Sequence, residues 1–142
     1  MLFRSLDKAG VSLRTDFDVL AEVWPDRPGL PTAAVYEHLA PQAPLARAAK
    51  LAQVREAMAR LGATHHFIST VDDIAWLFNL RGADVNYNPV FLAHALLDTQ
   101  GVTLFVSEGK VDASLQAVLA ADGVRLAPYA EEIGRASCRE RV

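Results

Sequence analysis

The chain is poor in the residues that announce a redox, metal or membrane role. It has one cysteine in 142 residues, so neither a disulfide framework nor a cysteine-built zinc site can form within it. No apolar run approaches the roughly 18 residues that a membrane-spanning helix needs. An excess of charge of one sign is also missing: 14 scattered Lys and Arg stand against 17 Asp and Glu, a net charge of −3. No basic cluster is interleaved with aromatics, which argues against a nucleic-acid surface. Met1-Leu2-Phe3-Arg4 is followed at once by Asp7 and Lys8, without the apolar core of a secretory signal. HExxH, GxSxG and Gly-rich phosphate-loop patterns are missing. The expectation is a soluble, cytoplasmic protein with neither nucleic acid nor membrane as a partner.

What is present is a globular composition, 51% apolar and 22% charged, long enough for one domain with its own core. The most informative stretch is Val71 to Phe91, VDDIAWLFNLRGADVNYNPVF. It reads as a short helix, a polar turn and the approach to a buried strand. Thr70 is placed to cap the helix, with Asp73 three residues on as in a capping box. Asp72 and Asp73 lie in the first turn, where the helix dipole favours negative charge. Ile74, Leu77 and Phe78 share one face, and Trp76 is read as a core residue as well. Arg81-Gly82 is expected to end the helix, Gly82 supplying a positive φ.

Around that stretch the chain alternates helices and strands. Leu2, Leu6 and Ala9 suit a short helix stopping at Gly10, and Val19 to Trp24 forms another short apolar element. Pro25 to Pro31, PDRPGLP, permits neither helix nor strand and reads as an interdomain linker. Ala33 to Leu39 is a candidate strand. A helix is predicted over about Pro44 to Leu61, with Pro44 at its first position and Gly62 beyond its end. Leu51, Val54, Met58 and Leu61 make its buried stripe. Arg47, Lys50, Arg55, Glu56 and Arg60 are assigned to the wet side. His65 to Thr70 reads as a buried strand. Pro89 to Asp98 and Val102 to Ser107 read as an antiparallel hairpin. Asp112 caps a last helix to Ala121, with Leu115, Val118 and Leu119 inward, and Val124 to Ala127 is a final strand. The fold class is α/β, a mixed sheet flanked by helices.

Candidate chemistry is thin. His65-His66 with Asp72-Asp73 invites a metal, but neighbouring strand residues face opposite ways and neighbouring helical residues diverge by about 100°. Ser69 and Ser107 have no patterned His and Asp partners. His38 and His94 are lone histidines in apolar runs and read as structural. Arg81, Asp84, Tyr87 and Asn88 form a polar turn between Trp76 and Phe91, and loops on rigid scaffolds often carry function. That turn either shapes a substrate entrance or an interdomain contact, or it is simply fixed by Arg81 pairing with Asp84.

DDIAWLFNLRG followed by YNPVF resembles the middle, creatinase N-terminal-like domain of three-domain Xaa-Pro aminopeptidases of the creatinase/prolidase superfamily. DVLAEVWPDRP (Asp18 to Pro28) resembles the hand-over from that family's first domain, and KLAQVREAM (Lys50 to Met58) the first helix of its second. The resemblance implies residues 1–24 as the end of a preceding domain, 25–32 as linker and 33–131 as the middle domain. It implies a parent enzyme that removes an N-terminal residue linked to proline. In the family a following domain does the chemistry: two Asp, one His and two Glu hold two metal ions, usually manganese, and a bridged water attacks the peptide bond. By that reading this chain has no cofactor and no catalytic or metal residue of its own. The implied partners are the first and catalytic domains, a peptide substrate for the parent and a second parent subunit in a homodimer. A stand-alone scaffold or interaction domain of the same fold is the alternative. Residues 132–142 are set apart: within them IGRASCRERV, residues 133–142, has no apolar periodicity and looks like a sequencing adapter translated in frame, so Cys138 is given no role.

Overall fold

The computed structural model of the chain describes residues 9–11 and 19–131. The readings of Leu2, Leu6 and the 132–142 tail fall outside these residues. The chain divides into two units, 1–30 and 31–142. In the first, α1 spans Val19–Val23, and Trp24 N–H donates to the Leu20 carbonyl at 3.0 Å. Val19, Leu20, Val23 and Trp24 are all exposed; at five residues, this helix is too short to stand on propensity alone.

The second unit is built on a four-stranded sheet ordered β2-β4-β5-β6. Its strands are β2 (His65–Ile68), β4 (Ala93–Asp98), β5 (Val102–Val106) and β6 (Val124–Pro128). The β2–β4 and β4–β5 pairs are antiparallel, and β6 is parallel to β5. A parallel pair needs a crossover, supplied here by α4 (Ala113–Ala121). A separate two-stranded ribbon pairs β1 (Tyr36–Glu37) with β3 (Leu80–Arg81). Helices α2 (Arg47–Arg60) and α3 (Val71–Phe78) complete the unit. The expected mixed sheet with flanking helices is therefore the observed architecture.

Register places Ile68, Ala95, Leu104 and Leu126 in one row, and Leu97, Val102 and Val124 in the next. These rows meet Leu51 and Met58 of α2, Ile74, Leu77 and Phe78 of α3, and Leu115 and Leu119 of α4 in one core. The opposite face carries a stack in which His94 lies 5.6 Å from Phe67 and 4.9 Å from Tyr129, ring to ring. His94 Nε2 and the Tyr129 hydroxyl are 3.0 Å apart.

Several sequence expectations need correction. Of β2, read as buried, only Ile68 is buried, because the strand is at the sheet edge with β4 as its one neighbour. Helix α2 begins three residues after Pro44, and Leu61, just past its end, is 83% exposed. Val118 faces outward. Thr70 occupies the N-cap of α3 but makes no side-chain cap bond. The cap read at Asp112 is present: its carboxylate accepts from Leu115 N–H at 2.8 Å.

The β4–β5 turn is closed by Asp98, whose Oδ1 accepts from the backbone N–H of Gln100 at 2.8 Å and of Gly101 at 2.7 Å. Those two bonds hold the Asp98 carboxyl below its usual range against the opposing effect of burial, with His65 and Arg125 adding lesser contributions to the lowering. A depressed carboxyl pKa contributes stability above the unfolded value of 3.8 and loses it as pH falls through the folded value. Asp98→Ala should cost about 1 kcal/mol at pH 7. In urea titrations at decreasing pH, the gap to wild type should shrink progressively below 3.8.

Candidate functional site

A helix end leaves its last carbonyls without intrahelical partners and carries partial negative charge. At the end of α3 these carbonyls are met by three cations. Arg47 Nε donates to Phe78 O at 2.7 Å, Lys50 Nζ to Trp76 O at 2.6 Å, and Arg81 Nη1 to Ala75 O and Leu80 O, both at 2.8 Å. Asn79, not Gly82, turns the chain out of the helix, with φ 53° in the left-handed region. Asparagine tolerates that region better than most residues, and here both polar atoms of its side chain are bonded. Its Oδ1 accepts from Lys50 at 2.6 Å, and its Nδ2 donates to Leu45 O at 2.9 Å.

Arg47 and Lys50 are thus not on the wet side of α2: they are 3% and 4% exposed. The remaining Arg47 donors reach Glu37 Oε1 and Asp122 Oδ2, each at 2.5 Å. One guanidinium thereby joins β1, α2, the end of α3 and the end of α4. Lys50 also sits 4.2 Å from the Trp76 ring centroid, a cation–π contact. Burial, and secondarily the nearby Arg81 charge, lower the Lys50 pKa. Trp76, read as core, is 53% exposed; its ring covers this lysine on the outside of the helix.

The four candidate residues of the turn fare differently. Arg81 is turned back onto the α3 carbonyls. Asp84 is buried, and it pairs with Lys110, not with Arg81 as the local-pair reading had it: both side chains are at most 1% exposed. Asp84 Oδ2 accepts from the Lys110 ammonium and from Leu92 N–H at 2.7 Å. Asp84 Oδ1 is buried with no partner among the described residues. Tyr87 is fully exposed at φ 62°, a conformation that costs a non-glycine residue about 1–2 kcal/mol. Asn88 Nδ2 donates to Asp72 Oδ1 at 3.2 Å, laying the turn against the first turn of α3. Gly82 is needed for space and not for φ: a Cβ there would lie 2.6 Å from Phe91 Cβ.

Sequence reasoning missed Lys110, an isolated lysine after a turn that carries no signal. It also misread Arg47, although residues 47, 51, 54 and 58 fall on one helical stripe. Among the described residues no three His, Cys, Asp or Glu side chains are placed to hold a metal ion. The one carboxylate buried in the turn is taken by Lys110. A cavity of about 240 Å³ beside β5 and α4 is lined by Ser107, Glu108, Gln116 and Pro128 among others, and none of the turn residues reaches it.

Removing Arg47 leaves Glu37, Asp122 and the Phe78 carbonyl without their shared donor. Arg47→Ala should cost about 3–5 kcal/mol, whereas Trp76→Ala, with half its ring already in water, should cost about 1–2 kcal/mol. Urea unfolding of the two variants checks this order, which is the reverse of the order expected from the residue types.

The family model of the creatinase/prolidase N-terminal domain matches residues 26–140. A "Probable Xaa-Pro aminopeptidase P" of Metarhizium acridum is 38% identical over 105 residues, covering 74% of this chain and 16% of that protein. One of the same name from Aspergillus niger is 39% identical over 130 residues, covering 90% and 21%. A crystal structure of X-prolyl aminopeptidase from Caenorhabditis elegans, described as a cytosolic enzyme with a di-nuclear active site, superposes with a TM-score of 0.82. Its identity is 26%, over 96% of this chain and 22% of that one. The chain therefore spans about a fifth of the length of these relatives. The family match, the identities and the shared sheet with its flanking helices agree: this chain belongs to the creatinase/prolidase N-terminal domain family.

Proposed function

We propose that the chain is the noncatalytic middle domain of a metal-dependent Xaa-Pro aminopeptidase, an enzyme removing an N-terminal residue linked to proline. The observation that carries this reading is the superposition over 96% of this chain on 22% of an X-prolyl aminopeptidase with a di-nuclear site. The two metal ions of the parent, manganese in this reading, belong to residues outside the chain. The described residues do not fit them: Asp84 is engaged by Lys110, and no other cluster of ligands is present among them. The parent is cytoplasmic in the same reading, in keeping with the neighbour's description as cytosolic.

The part played by this domain is to present the 81–88 turn at the substrate entrance or against the adjoining domain. Support comes from Tyr87, which is held outward in a strained conformation at the tip, the kind of local cost that concentrates at functional sites. Residues 82–92 behind it are tied by the Gly82 N–H to Pro89 O bond at 3.2 Å and the Asp84 N–H to Val90 O bond at 3.1 Å.

Incubated alone with manganese and an Xaa-Pro peptide, the chain should release no N-terminal residue above the blank; measurable turnover would contradict the proposal. In the full-length parent, Tyr87→Ala should raise KM several-fold while shifting Tm by less than about 2 °C. Arg81→Ala should lower Tm by stripping the α3 carbonyls. Unchanged peptide kinetics in both variants would remove the entrance role.

A further inference from the structure

The buried Asp84–Lys110 pair is poorly explained as a stabilising device. An ion pair taken wholly out of water often contributes no more than apolar side chains of the same size. This one also leaves Asp84 Oδ1 buried without a donor among the described residues, an arrangement that costs stability. What the pair does achieve is geometric. Asp84 Oδ2 receives the Lys110 ammonium and Leu92 N–H together, so Lys110 is linked through one oxygen to the backbone between Gly82 and Leu92. Lys110 is itself fixed from the other side. Its Nζ lies 3.4 Å from the Pro31 carbonyl, and its own carbonyl accepts from Val35 N–H at 2.8 Å. Three stretches far apart in sequence, 31–35, 82–92 and 107–112, therefore meet on one lysine that is 1% exposed.

We propose that Lys110 is a positioning residue for the turn. Through Asp84 it holds the 82–92 backbone, and with it outward-facing Tyr87, in the orientation presented to the peptide, and it references that orientation to residues 31–35, where the second unit begins. This rests on the entrance role proposed for the turn and goes one step further by naming the residue that sets its pose. Lys110 touches no substrate; it acts through Asp84.

The test uses the full-length parent enzyme, with steady-state hydrolysis of an Xaa-Pro peptide and amide hydrogen exchange as readouts. Lys110→Met alone strands a buried carboxylate and is set aside in favour of the neutral double variant Asp84→Asn/Lys110→Met. Lys110→Arg, which keeps the charge but changes donor length and shape, is the second variant. The double variant should raise KM by roughly 5–10-fold with kcat within about twofold. Exchange at Leu92 N–H should accelerate at least about tenfold while strand β5 keeps its protection. Lys110→Arg should give a smaller rise in KM in the same direction. A purely structural role would reduce the active fraction, and so the apparent kcat, and leave KM unmoved. If Tyr87→Ala raises KM but neither Lys110 variant does, the positioning role is wrong and the entrance role stands. If Tyr87→Ala also leaves KM unchanged, the entrance role itself has failed and this inference falls with it.

Discussion

The fold depends on how one helix end is closed. Helix α3 is eight residues long, and the carbonyl of its last residue, Phe78, meets its donor in a buried hydrogen bond. Arg47 supplies the answer by reaching from α2 to Phe78 O while holding Glu37 of β1 and Asp122 beyond α4. A buried guanidinium is costly unless its donors are matched, and here its three nitrogens find three acceptors. Lys50 and Arg81 complete the closure with the helix dipole in their favour. The β1–β3 ribbon follows from this arrangement, since the chain leaving Asn79 runs directly into β3.

Much of the architecture could be read from the sequence. The β4–β5 hairpin, the α4 crossover with its Asp112 cap and the apolar face of α3 each carry a local signal, alternation or helical spacing, that packing then obeys. The failures share a cause. Residue type puts Arg47 and Lys50 outside and Trp76 inside, yet a long cationic side chain can run inward to a helix end while an aromatic ring remains outside as its cover. The edge position of β2 was hidden for a different reason: which strand of a sheet lacks a second neighbour is set by strand order, and strand order is not local.

The candidate turn shows the same division. Its polarity and its Gly82 were visible in the sequence, but not the reason for the glycine, which is the Phe91 side chain pressed against it. The partner of Asp84 could not be inferred at all, because Lys110 lies 26 residues away and nothing near it in sequence marks it as buried. Four charged residues, Arg47, Lys50, Asp84 and Lys110, face inward and hold backbone in place, while Tyr87 is set outward.

The direct test of the Arg47 closure is hydrogen exchange at the Arg47 Nε–H itself, followed by NMR alongside the backbone amides of β5. If Arg47 seals α3 as described, this proton should exchange only through global unfolding, with the same opening free energy as Leu104 and the same dependence on denaturant. Exchange at rates near those of a free arginine while β5 remains protected would show that the guanidinium opens independently, and that the fold does not rest on it.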